Sequence, residues 1–145
     1  MRVFKRYSLD REERIEVVRN TASFLTKAGT VSFAYIYGSF SKEEGFNDID
    51  LAVYIDESKV SNIFDAQLEL GVSLEREIGY PVDCRAFNLA PLSFRFSIIT
   101  FGDLIFSRDE GRRVSFETMT RSRIAQKRLV VRNESCHGRV SYKKP

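Results

Sequence analysis

Ile49, Leu51, Val53 and Ile55 occupy every second position of one short segment, and this period commits residues 48–55 to a strand with a single apolar face. Asp48, Asp50, Ala52 and Tyr54 then fall on the opposite face. Two carboxylates two residues apart on a strand project to the same side, so the pattern that buries the strand also gathers two hard oxygen ligands at its head. Magnesium suits such a pair, because it takes one or two protein carboxylates and completes its octahedron with phosphate oxygens and water. An Asp-x-Asp pair alone arises readily by chance. Its weight comes from its place at the start of a half-apolar strand, behind a Gly-Ser turn and a short polar loop.

The rest of the chain supplies partners for that strand. Asp10 with Glu13 three residues on reads as a capped helix start, and Ile15, Val18, Ala22 and Leu25 carry the helical period to Gly29. Val31 to Tyr37 is β-branched and aromatic, too short for a typical helix, and reads as a buried strand ended by Gly38. Val60, Ile63, Phe64, Leu70, Leu74 and Ile78 form an amphipathic helix closed by Gly79 and Pro81. Val82 to Phe87 resumes strand character. A short apolar helix over Pro91 to Phe101, a strand over Asp103 to Ser107 and a basic helix from Asp109 to about Leu129 follow. This alternation predicts an α/β domain of the α+β type, with a mixed central sheet flanked by helices. Residues 1–130 are expected to be that domain, and 131–145 a flexible basic tail.

Three groups of residues carry candidate chemistry. Gly38 lets backbone approach a phosphate, and a turn from strand into short helix aims N–H groups and the Ser39 hydroxyl at anionic oxygens. Ser41 and Lys42 are placed to assist. The plainer reading is an ordinary turn with Ser39 as a cap. Asp83 is the candidate third acid: in Val82 to Phe87 it shares a face with Arg85, on a strand able to lie beside the Asp48-Asp50 strand. Such an acid would hold or deprotonate an attacking hydroxyl. Otherwise Asp83 and Arg85 are simply that strand's wet face.

Gly38-Ser39, a spacer, Asp48-Ile-Asp50 and Asp83 resemble the polymerase-beta nucleotidyltransferase superfamily. The phrasing Tyr37-Gly-Ser-Phe40 and Asp48-Ile-Asp-Leu-Ala-Val53 is similar to its minimal nucleotidyltransferases, the MNT proteins. Eight residues separate Ser39 from Asp48 here, where ten are common in that group. The resemblance implies that Gly38 and Ser39 hold a triphosphate, that Asp48 and Asp50 bind two magnesium ions, and that Asp83 shares a metal and activates the acceptor. It further implies ATP as substrate and AMP transfer to a tyrosine of a helical HEPN toxin, for which such proteins serve as antitoxins. A small hydroxylated acceptor and a non-catalytic binding module are the alternatives. Arg132 and His137 stand at the Arg-x4-His spacing of HEPN ribonucleases, but the segment is read as tail rather than as a second active site.

At 145 residues the chain has room for one core and no second catalytic domain. The net charge of +3 is divided, −4 over residues 1–107 and +7 over 108–145. The basic quarter suits a nucleotide, nucleic acid or an acidic partner, or is a solvated helix face. Nucleic acid is not required by the chemistry above. No apolar run is long enough for a membrane span, and Met1 to Leu9 lacks the apolar core of a signal peptide, so the expected location is the cytoplasm. Cys84 and Cys136 form no metal-binding pair, and Cys84 is expected in the core.

Overall fold

A computed structural model describes residues 5–42 and 45–143, with side chains described up to residue 132. The first helix, α1 (Arg11–Ala28), starts where the cap predicts: the Glu13 backbone N–H donates to the Asp10 carboxylate at 2.8 Å, and the Asp10 N–H donates to the Glu13 carboxylate at 3.1 Å. Gly29 ends it at φ +74°, a left-handed conformation that costs a glycine nothing.

The central sheet is built from β2 (Val31–Tyr37), β4 (Ile49–Ile55), β5 (Val82–Ala86) and β6 (Asp103–Ser107), in the order β5-β4-β2-β6. β2 lies antiparallel to both β4 and β6, while β4 and β5 run parallel, so the sheet is mixed. Between β4 and β5 the chain crosses over through α3 (Ile63–Ile78), which packs on β5. Helices α1 and α3 cover one face; α4 (Leu92–Phe101) and α5 (Glu110–Lys143) cover the other.

The alternation along β4 matches this layering. Ile49, Leu51, Val53 and Ile55 lie in the α1/α3 core with Leu25, Ile36, Leu74, Val82 and Cys84. Ala52 belongs to the second core with Phe33, Tyr35, Phe87 and Ile98, and Tyr54 packs against it. Cys84 is buried as expected, and burial drives its thiol up to about 12, which leaves it an inert core residue.

Sequence period missed one small feature, a two-stranded ribbon of β1 (Tyr7–Ser8) and β3 (Gly45–Phe46). Two-residue strands are too short to show alternation. Their aromatic residues nonetheless build a cluster: Phe46 meets Phe40 edge-on at 4.9 Å, Tyr7 at 5.6 Å and Tyr80 at 5.7 Å. Phe46 is fully buried, so the spacer that leads into β4 is anchored near its end, two residues before Asp48.

The C-terminal helix expected from Asp109 to about Leu129 is longer in the structure. Helix α5 passes Leu129 and continues to Lys143. Apolar period governs where a helix packs, not whether it forms, and no proline follows Pro91 until Pro145. The His137 side chain lies outside the described residues.

Candidate active site

β2 ends at Tyr37, and Gly38 turns the chain at φ +77° into the four-residue helix α2 (Ser39–Lys42). The Ser41 N–H closes this turn on the Gly38 carbonyl at 3.2 Å. A side chain at Gly38 would be both strained and obstructed, because its Cβ would collide with the Asp50 carboxylate. Gly38 is thus required here by a carboxylate as well as by a turn.

Asp48 sits on the bend just before β4 rather than within the strand. The strand begins one residue later, where the Ile49 N–H donates to the Pro81 carbonyl at 2.8 Å and ties the head of β4 to the entry of β5. Parallel register then sets Asp50 directly beside Asp83, and antiparallel register sets Tyr37 on the other side of Asp50. Paired positions point to the same face, so Tyr37, Asp50 and Asp83 form a row across three strands on the α4/α5 side. All three side chains are partly exposed.

Electrostatics show how crowded this row is. The Asp50 carboxyl is pushed up to about 6, first by loss of solvent and then by the negative charges of Asp48 and Asp83, against a smaller opposing pull from Arg85. The Tyr37 phenol is likewise raised, by burial first and then by Asp50 and Asp83. Asp83 has one cation at hand, Arg85, whose Nε lies 3.3 Å from Asp83 Oδ2. Both groups of that pair are well exposed, so it is worth about 1 kcal/mol or less and gives way easily to another ligand.

Among the described residues no three His, Cys, Asp or Glu side chains converge tightly enough to enclose one metal ion. The acids instead flank Asp50 from two sides. That suits cations completed by phosphate oxygens better than a closed protein cage, because a hard ion needs only one or two carboxylates of its own. Magnesium therefore fits the donor set.

The remaining expected residues divide. Ser39 opens α2 beside Gly38, and Lys42 closes it, exposed. The Ser41 hydroxyl donates to the carboxylate of Asp103 on β6. Asp103 pairs with Ile36, whose side chain faces the α1/α3 core, so Ser41 is turned toward the side of the sheet opposite Asp50. Sequence reasoning passed over Tyr37, Arg85 and Phe94 as members of the site. Phe94 on α4 stands edge-on to Tyr37 at 5.5 Å and under the Arg85 guanidinium at 5.6 Å. Only Arg85 had a signal, its position two residues after Asp83.

A mixed sheet with an acid pair at the head of one strand, a third acid in register on the next and a glycine turn against them is the framework of a transferase acting on phosphate esters. The chain belongs to the polymerase beta nucleotidyltransferase family: the family model described as Polymerase beta, Nucleotidyltransferase matches residues 19–111. No curated protein matches the sequence. Among solved structures, a chain from the MntA-HepT toxin-antitoxin crystal structure is similar with TM-score 0.57 and 16% identity, covering 91% of this chain and 99% of that one. A toxin-antitoxin structure with AMP-PNP gives TM-score 0.56 and 19% identity, over 92% and 99%. The tri-AMPylated Shewanella oneidensis HEPN toxin in complex with MNT antitoxin gives TM-score 0.58 and 19% identity, over 86% and 98%. At these identities the likeness is one of fold. No helix among the described residues is long and apolar enough to cross a membrane.

Proposed function

We propose that this chain is a magnesium-dependent adenylyltransferase of the MNT antitoxin kind, which moves AMP from ATP to a tyrosine hydroxyl of a helical HEPN toxin. The observation that carries the reading is the register of Asp50 against Asp83, with Gly38 packed on the Asp50 carboxylate. The fold shared with structures of MNT-HEPN pairs supports the choice of partner.

In this reading Gly38 and Ser39 cradle the triphosphate, with Lys42 as an outer cation and Ser41 in support through α2. Asp48 and Asp50 would hold the magnesium ions, with Asp83 as a shared ligand; bound there, the metal would supply charge neutralisation of the triphosphate and acidify the acceptor hydroxyl. Asp83 faces the acceptor and takes its proton. Arg85, released from Asp83, is placed to meet negative charge that builds up on the transferred phosphoryl group. Tyr37 and Phe94 wall the row and limit water there. The cytosol, where ATP and magnesium are both available, is the compartment this chemistry needs.

The test is AMP transfer from labelled ATP to the partner that co-purifies with the native protein. Label on the partner, lost in Asp50→Asn, is the expected result. Equal labelling by Asp50→Asn would sink the catalytic assignment. A partner neutralised equally well by the Asp48→Asn/Asp50→Asn double variant would show a binding module instead.

A further inference from the structure

Helix α5 runs on past the part of the domain that covers it. Its inner face sets Phe116 against Phe33 and Phe87 and buries Thr120 and Ile124, but every residue from 125 to 132 is exposed. The same face continues through Lys127, Arg128 and Val131, because positions three, four and seven places on return to one side of a helix. With Ile124 and Arg132 these residues line a groove of about 410 Å³. We propose that this uncovered stretch docks on helix α3 of a second copy of the chain, and that the contact is made twice, α5 of each copy lying on α3 of the other.

Both helices leave apolar surface uncovered. On α5, Leu129, Val130 and Val131 are 58%, 54% and 53% exposed. Successive residues lie about 100° apart around a helix, so these three make one turn apolar on every side, a pattern that belongs to buried helices. On α3, Phe64, Leu68 and Val72 are all more than half exposed. Their spacing of four residues puts them on one face, about 12 Å from end to end.

Charge chooses the occupant. Residues 118–133 hold five Lys/Arg and no acid, whereas α3 holds Asp65, Glu69, Glu75 and Glu77 against Arg76 alone. Asp65 and Glu69 directly follow Phe64 and Leu68, so an acidic row runs beside the apolar one; Lys127 and Arg132 flank Val131 in the same way on α5. Two α5 stretches would repel each other, as would two α3 helices, and α3 against α5 joins opposite charges over apolar surface. Within one chain these helices cover opposite faces of the sheet, so the pairing is made between copies. Each copy carries one surface of each kind, and a two-fold arrangement matches both and closes at two.

The docked helix lies close to the acid row. Leu68 also lines a cavity of about 450 Å³ at the free edge of β5, together with Asp83 and Arg85. Self-association therefore competes with any acceptor for this approach to Asp83. The inference itself goes beyond AMP transfer and stands without it, since it is built from surface charge and apolar area alone.

Sedimentation velocity of the full chain up to about 100 μM tests this. The wild type is expected to pass from monomer to dimer as concentration rises, and to dissociate in high salt. Asp65→Lys/Glu69→Lys and Lys127→Glu/Arg132→Glu should each weaken the dimer about tenfold or more. An equimolar mixture of the two variants should restore it, because in the mixed pair both contacts again join opposite charges. All four positions are exposed, and recovery on mixing verifies that both variants fold. A wild type that stays monomeric, a dimer indifferent to either reversal, or a mixture no stronger than its components would overturn the inference. So would a monomeric wild type whose capture of the co-purifying protein, or of an RNA duplex, is abolished by the α5 reversal, since the uncovered stretch would then serve that occupant. Labelling by AMP, measured separately with Asp50→Asn, decides the transfer reading whichever result is obtained here.

Discussion

Asp50 is the residue on which the site's energetics turn. Its carboxyl, pushed up to about 6, binds a proton more tightly in the folded chain than in the unfolded one, where aspartate titrates near 4. Folding is therefore opposed by this group above its folded value; the opposition grows between about pH 4 and 6 and is absent below. Without divalent ions, Asp50→Asn should raise the melting temperature by about 2–4 °C near neutral pH, the lower end applying because the carboxyl is partly solvated, and should change nothing at about pH 4. Scanning calorimetry at the two pH values checks both halves. Adding magnesium with ATP should stabilise the wild type and not the variant. Gly38→Ala tests the same carboxylate from the other side. It forces a left-handed backbone on alanine and drives a methyl into Asp50, so it should cost about 1–3 kcal/mol in urea unfolding and remove AMP transfer. The sequence made Gly38, Ser39, Asp48, Asp50 and Asp83 legible because each sits at a defined position in a turn or a period. Tyr37 and Phe94 were not legible, since an aromatic residue that closes a strand or lies on an apolar helix looks the same whether it walls a site or fills a core.

Among the elements, the spacer before β4 is the one most dependent on a single side chain. Phe46 is fully buried among Tyr7, Phe40 and Tyr80, and it holds the segment that delivers Asp48 to the head of the strand. Phe46→Ala should cost about 3–5 kcal/mol by denaturant unfolding. It should also weaken Mg-ATP binding, because Asp48 lies on a bend with no strand of its own to fix it. A variant that lost stability but bound Mg-ATP with unchanged affinity would show that β4 alone positions Asp48. The helices α1, α3 and α4 were readable from caps and apolar period, and their bounds lie close to those expected. α5 was not: its run to Lys143 follows from backbone propensity, to which a period of buried residues is blind.

At the scale of the molecule, one buried network couples the long C-terminal helix to the sheet. The Tyr35 hydroxyl on β2 donates to Glu117 on α5, and Arg113 and Arg121 bond the same carboxylate, at 3.1 and 3.5 Å. Tyr35 is only 3% exposed. Glu117→Ala would leave the Tyr35 phenol without its acceptor and take from Arg113 one of its two carboxylate partners, the other being Glu110, at a cost of about 1–3 kcal/mol. Glu117→Gln keeps an oxygen for Tyr35 and should lose less. Thermal unfolding of the two variants, expected to rank them in that order, measures how firmly α5 is held. The basic charge concentrated in the C-terminal quarter thus has a structural use in part, since Arg113 and Arg121 are occupied within α5.

Taken by itself, the sequence determined the kinds of element, their order, the apolar face of β4 and the grouping of Asp48 with Asp50. All of these are local properties, set by periods of 2 and 3.6 residues and by turn chemistry that acts within a few positions. Strand order and register were decided only in three dimensions. They place Asp83 beside Asp50 from 33 residues away, bring Tyr37 to the other flank, turn Ser41 toward Asp103, and leave β5 at the edge where the cavity opens. Hydrogen bonding between strands carries no mark of its partner in the chain, so these neighbours emerge only once the whole sheet has packed.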